Sequence, residues 1–193
     1  VQNIGGTGLE TVGGICTATN GGVFICGSYD SPVLTVSSAT LGQNSTIGNH
    51  DIYVANFSSG GACMWANRYG NTGNDVAKGI TYSSALNNVI FTGYFNSSTI
   101  AFGTATLTNT GTNYDVFVAK LTPGFTNANP AGAFATGAAN SNDYGYSVKV
   151  DATSIYIGGS FSPVTGNSST IGGAVTSYGS QDVFIAKYSN ANA

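Results

Sequence analysis

Three segments of this chain are variants of one string: His50-Asp51-Ile52-Tyr53-Val54-Ala55-Asn56, Tyr114-Asp115-Val116-Phe117-Val118-Ala119-Lys120 and Gln181-Asp182-Val183-Phe184-Ile185-Ala186-Lys187, spaced by 64 and 67 positions. A second set is Val23-Phe24-Ile25-Cys26-Gly27-Ser28-Tyr29, Val89-Ile90-Phe91-Thr92-Gly93-Tyr94-Phe95 and Ile155-Tyr156-Ile157-Gly158-Gly159-Ser160-Phe161. A third starts at an acid and ends in a short apolar run: Glu10 to Ile15, Asp75 to Ile80, Asp143 to Val148. The period is about 66 residues and the copies cover nearly all 193 positions. Repetition on this scale restricts the fold to a tandem array in which each copy buries its apolar face on its neighbours.

Each apolar run is rich in β-branched and aromatic residues and is bounded by Gly, Asn, Ser or Thr, the pattern of a strand. No window has a helical period with a capping signal, so essentially no helix is expected. The first copy predicts strands at 14–17, 23–27, 51–56 and 64–69, with Trp65 anchoring the fourth. Four antiparallel strands per repeat describe a blade of β-propeller type. The expected fold is all-β, a single repeat domain over 1–193 of three tandem four-stranded antiparallel blades at approximately 1–62, 63–130 and 131–193.

These runs resemble the SBBP-type β-propeller repeat of bacterial secreted proteins. The likeness lies in Asp115-Val116-Phe117-Val118-Ala119-Lys120-Leu121, in Val89 to Phe95, and in Asn142-Asp143-Tyr144-Gly145-Tyr146-Ser147-Val148. It implies an extracellular or cell-surface β-propeller-like module with no shared catalytic residues. The first copy departs from the pattern by placing Asn56 where the others have Lys120 and Lys187.

The two ends do not match. Aligned at an offset of 65, Val1-Gln2-Asn3-Ile4-Gly5-Gly6-Thr7-Gly8 falls on Ala66-Asn67-Arg68-Tyr69-Gly70-Asn71-Thr72-Gly73, so the chain opens on a fourth strand. The last copy stops at a third strand, Asp182-Val183-Phe184-Ile185-Ala186-Lys187-Tyr188. Closed propellers take about four to eight blades. Three therefore predict either blades from a second chain, or strand addition in which Val1, Gln2, Asn3 and Ile4 complete the C-terminal sheet of another copy. A start at Val1 with neither Met nor a signal-like segment reads as a processed chain or an excerpt.

Composition removes several function classes. Only 7% of residues are charged and the net charge is −3. No Lys/Arg cluster offers a footprint for nucleic acid, and no apolar run is long enough to span a bilayer. Six of the eight acids occupy two repeat-fixed positions: Glu10, Asp75 and Asp143, then Asp51, Asp115 and Asp182. An acid just before a strand can accept backbone N–H bonds and close a turn, which explains its recurrence better than catalysis does. His50 sits in a turn where the other copies have Tyr114 and Gln181, and no nucleophile elbow, phosphate loop or metal motif is present. No catalytic, metal-ligating or cofactor-binding residue is assigned.

Two covalent features are expected. Cys16 and Cys26 flank Asn20-Gly21-Gly22; a three-residue loop centred on Gly21 sets them opposite each other, the placement for a Cys16–Cys26 disulfide. The alternative is two free thiols packed as small apolar residues. Asn44, Asn96, Asn167 and Asn56 begin N-glycosylation sequons, the last close to a strand end. The expected function is a non-enzymatic extracellular structural protein that self-assembles, as a filament or surface layer, through its terminal strands. The partners are then copies of itself, with glycans attached at the sequons. The alternative is a ligand- or carbohydrate-binding β-propeller module from a larger secreted protein, lined by Tyr29, Tyr94, Phe95, Tyr178 and Phe161.

Overall fold

The computed structural model describes residues 1–193 apart from 46–47, 110, 125–127, 139–140, 163–167 and 191–193. Among the described residues every extended element is a strand and no α-helix occurs. The first copy contributes β1 (Ile4–Gly5), β2 (Glu10–Thr17), β3 (Val23–Tyr29), β4 (Val33–Val36), β5 (Ala39–Gly42), β6 (Asp51–Phe57) and β7 (Cys63–Tyr69). The second contributes β8 (Asp75–Ser83), β9 (Asn88–Phe95), β10 (Thr99–Phe102), β11 (Ala105–Thr108), β12 (Asp115–Pro123) and β13 (Ala128–Thr136). The third contributes β14 (Asp143–Val150), β15 (Ser154–Phe161), β16 (Ser168–Thr170), β17 (Ala174–Thr176) and β18 (Asp182–Ser189).

The long strands form three antiparallel sheets: sheet I in the order β2-β3-β6-β7, sheet II β8-β9-β12-β13, and sheet III β14-β15-β18. Between the second and third strands of each sheet the chain makes a small hairpin: β4-β5, β10-β11 and β16-β17.

The sheets stack in chain order. β8 lies across β3 and β6, β14 lies across β9 and β12, and the first strands β2, β8 and β14 run side by side. At the first interface Phe24, Cys26, Ile52 and Val54 meet Ala77, Ile80, Phe91 and Phe117. At the second, Ile90, Val116 and Val118 meet Val148, Ile157, Phe184 and Ala186. This explains the continuous apolar spelling of β6 and β12, since a strand covered on both faces needs no polar side. Close stacking also sets the glycine positions. A Cβ on Gly145 would lie 2.9 Å from Val116 Cγ1 and 2.7 Å from Thr92 Oγ1, so only a bare backbone fits there.

The second hairpin is a wedge at the first interface. Phe102 on β10 packs its ring 4.9 Å from Tyr69, 5.7 Å from Phe91 and 5.2 Å from Phe117 (centroid distances). β10 thereby touches β7 of sheet I, while β11 touches β13 of sheet II. The first hairpin packs on sheet I, with Leu34 and Val36 against Tyr53 and Ala55.

The N-terminal segment pairs locally, and one expectation, the disulfide, is corrected. Within the chain, the N-terminal segment does not add to sheet III: only Ile4 and Gly5 enter a ladder, opposite Val36 and Thr35 of β4, and Val1, Gln2 and Asn3 are exposed. The reason is local tethering. The N–H of Gly8 donates to Ser31 Oγ at 2.8 Å, and this holds the segment beside the nearest open ladder edge. The Cys16–Cys26 disulfide is not formed; both are free, as is Cys63. The loop turns one residue earlier than the spacing implied. Ala18 N–H donates to Gly22 C=O at 2.8 Å, and Gly21 takes φ +78° as the last loop residue rather than the middle one, as a three-residue hairpin requires. Cys16 then faces Phe24, and Cys26 faces Gly14.

Candidate functional site

The N-terminal segment repeats the joint between sheets I and II. Gly73 N–H donates to Ser97 Oγ at 2.9 Å, as Gly8 does to Ser31 Oγ at 2.8 Å. Asn96 N–H donates to Asn74 C=O and Asp30 N–H to Leu9 C=O, both at 3.1 Å, and Ser162 N–H to Asn142 C=O at 3.0 Å. Upstream of the internal joint runs β7, whose Tyr69 meets the β10 wedge through Phe102. Ile4 takes the corresponding place, half-buried on the cluster that contains Leu34 and Val36. Ile4 and Gly5 thus pair with β4 on the side of the hairpin where, at the internal joint, β7 meets β10.

Two of the sheets' outer strands are the first and the last strand in sequence, β1 and β18. β1 is outermost in β1-β4-β5, and β18 is outermost in β14-β15-β18. In β18 the alternation that burial hides in β6 and β12 becomes visible. Phe184 and Ala186 are buried against sheet II, whereas Val183 is 85% and Ile185 88% exposed. An open edge beside an apolar face is what proteins ordinarily cover or charge.

The repeated acids build turns. Asp75 accepts from Asn71 N–H at 2.9 Å and from Ser97 Oγ at 2.7 Å. Asp143 accepts from Ala138 N–H at 2.9 Å and Ser141 Oγ at 3.1 Å, Asp182 from Tyr178 N–H at 2.7 Å, and Glu10 from Ser31. Asp51 accepts from Asn44 N–H. Burial pushes the Asp51 and Asp75 carboxyls up, and burial together with the Asp143 charge raises Asp115 to about 7. Hydrogen bonds from Ser177 and Tyr178 hold Asp182 below its usual range. His50 belongs to the joint between sheets I and II: its N–H donates to Asn74 Oδ1 at 3.1 Å, and its C=O accepts from Asp75 N–H at 2.8 Å. Among the described residues no group of three or more His, Cys, Asp or Glu could hold a metal ion, and no helix is long and apolar enough to cross a membrane.

The other sequence-derived positions scatter. Asn44 is exposed. Asn96 is half-buried and its Oδ1 accepts from Asn74 N–H at 2.6 Å. Asn56 lies inside β6, opposite Phe24 and Trp65, and Asn167 lies outside the described residues. Of the aromatics considered as pocket liners, Tyr29, Phe95 and Phe161 are buried and Tyr178 is exposed, while Tyr94 joins Tyr114 and Tyr144 in a surface cluster. They form no common pocket.

A groove of about 440 Å³ lies instead at the turn end of the first interface, where Phe24, Tyr82 and Met64 meet Asn20, Asn56 and Asn87. Its signal in the sequence is Asn56. At the second interface the longer Lys120 occupies that position and reaches Asn190 C=O at 3.1 Å. No family model matches the sequence, and no curated protein matches it.

Proposed function

We propose that this protein is a non-enzymatic structural subunit of the cell exterior that polymerises head to tail by β-strand complementation, its three sheets acting as successive blades of an open propeller-like array of the SBBP type. The observation that carries this reading is the position of the N-terminal segment, which the repeat aligns with a fourth strand and whose Ile4 and Gly5 lie on β4 with the other edge open. In sheet III, β18 is outermost among the described residues, at the place where sheets I and II carry a fourth strand.

The internal ladder supplies the register. β6 pairs with β7 as Ile52↔Tyr69, Tyr53↔Arg68, Val54↔Asn67 and Ala55↔Ala66. The repeat equivalence turns this into Val183↔Ile4, Phe184↔Asn3, Ile185↔Gln2 and Ala186↔Val1 between two copies. A head-to-tail contact of this kind is heterologous, and it generates rings or filaments according to the rotation per subunit. Light scattering and negative-stain microscopy of the intact chain test it. Regular filaments or rings are expected; a monodisperse monomer at micromolar concentration refutes it.

The groove favours a second reading, an oligosaccharide-binding module. Phe24 and Tyr82 stack with centroids 5.6 Å apart at its wall, and the three asparagines supply the polar partners that fix a ligand's orientation. Titration of the dispersed protein with neutral oligosaccharides, lost in Tyr82→Ala, would support it.

A further inference from the structure

We infer that copies dock face to face as well as edge to edge: the exposed face of sheet III, carrying Val183 and Ile185, is the seat for the exposed first-strand face of sheet I, carrying Val12 and Ile15, of a second copy. This rests on the strand-complementation reading but concerns different atoms.

Equivalent positions in the three copies differ in what covers them. Val183 and Ile185 correspond to Ile52 and Val54 in sheet I and to Val116 and Val118 in sheet II, all four at 0% exposure because the next sheet covers them. Opposite them, Ile80 and Val148 are 6% and 2% exposed, packed on the preceding sheet. Their counterpart in sheet I is Ile15, 64% exposed, and Val12, the counterpart of the fully buried Ala77, is 66% exposed. Each end of the stack therefore shows one half of an interface that occurs twice inside it. The two halves are complementary, since every internal interface joins the same two faces.

One placement satisfies both contacts. At the internal interface the wedge strand β10 lies on β7, the fourth strand of the sheet before it. A second copy set on sheet III in the same way would bring its β4 beside the fourth strand of that sheet, and that strand is its own residues 1–4. The polar rim agrees. Lys120 reaches the backbone carbonyl of Asn190 across the second interface, and Lys187, its exposed equivalent, would reach the turn around Ser59 of the next copy. The occupant is thus a second copy of this chain.

The test uses the full-length chain. Ile185→Asp and, separately, Ile15→Asp are expected to raise the critical concentration for assembly at least a hundredfold with an unchanged circular dichroism spectrum, and Ile15→Lys combined with Ile185→Asp to recover part of the loss. Benzoylphenylalanine introduced at position 185 should crosslink, on irradiation of the polymer, to the peptide containing Val12 and Ile15 of another chain. Crosslinks to any other peptide, or Ile185→Asp assembling within threefold of the parent, overturn the inference. If Ile185→Asp polymerises normally while removal of residues 1–5 prevents polymer, the face contact fails and strand complementation stands. If neither change alters assembly, both fail.

Discussion

Removing residues 1–5 isolates the edge contact from everything else the chain does. The template is the β6–β7 ladder, where five consecutive residue pairs precede the irregularity at Phe57 and the first four correspond to residues 1–4. Four antiparallel pairs carry about four inter-strand hydrogen bonds, and at roughly 0.5–1.5 kcal/mol net for each the strand contributes about 2–6 kcal/mol per subunit contact. Its loss should raise the critical concentration by between about thirtyfold and about twenty-thousandfold, at 1.4 kcal/mol per factor of ten. The cost to the isolated chain is much smaller. Only Ile4 and Gly5 are in a ladder, on an outer edge, so about 1 kcal/mol of unfolding free energy is at stake. Sedimentation velocity across a dilution series measures the first quantity and urea unfolding the second. A truncated chain that remains folded and assembles at the parent's critical concentration would refute the reasoning, which assigns the fourth strand of sheet III to those residues alone.

Other consequences are open to measurement. Asp115 titrates near 7 in the folded protein because burial and Asp143 oppose its charge, against about 4 when unfolded. The folded state therefore binds the extra proton, and stability is greatest below about pH 4, falls as pH rises through 7 and is level above; the half-buried site tempers this to about 1–2 kcal/mol. In Asp115→Asn this part of the slope should vanish in thermal melts between pH 4 and 8, and an unchanged slope would show that Asp115 is not its source. Phe102→Ala empties the wedge between Tyr69, Phe91 and Phe117 and should cost about 3–5 kcal/mol in urea unfolding; a loss under 1 kcal/mol would mean the hairpin does not bind the sheets together. Burial raises the Cys16 and Cys26 thiols to about 11 and about 12, so both should resist iodoacetamide at pH 8 until denaturant is added. Mass spectrometry showing rapid native alkylation of Cys26 would contradict its placement.

The repeat made most of the architecture readable. Strings such as Asp115 to Lys120 carry no alternation because both faces are covered, and their recurrence locates every third strand. The acids were legible for the same reason: a carboxylate needed to close a turn in each copy appears in each copy. Pairing register was not legible where a single residue decides it. Gly21 at the last rather than the middle position of its loop moves Cys16 from facing Cys26 to facing Phe24. The destination of Ile4 was hidden too, since its ladder partner is set by a tether to Ser31 rather than by any pattern in residues 1–4. The groove at Asn56 depends on a side chain too short to fill the space Lys120 fills one interface later. Only the comparison of copies hints at that.

The glycines of the second strands have a mechanical consequence. Gly27, Gly93 and Gly159 each lie under the ring of Tyr53, Phe117 or Phe184, where an added Cβ would come within 2.6–2.9 Å of ring carbons. An aromatic laid flat on bare backbone ties second and third strands at their mid-points without adding thickness. Layers built this way can be piled at constant spacing, and the pile thickens by whole layers. Growth by adding chains and growth by lengthening one chain then become the same operation, so a gene could set the number of layers per molecule without changing how they are laid.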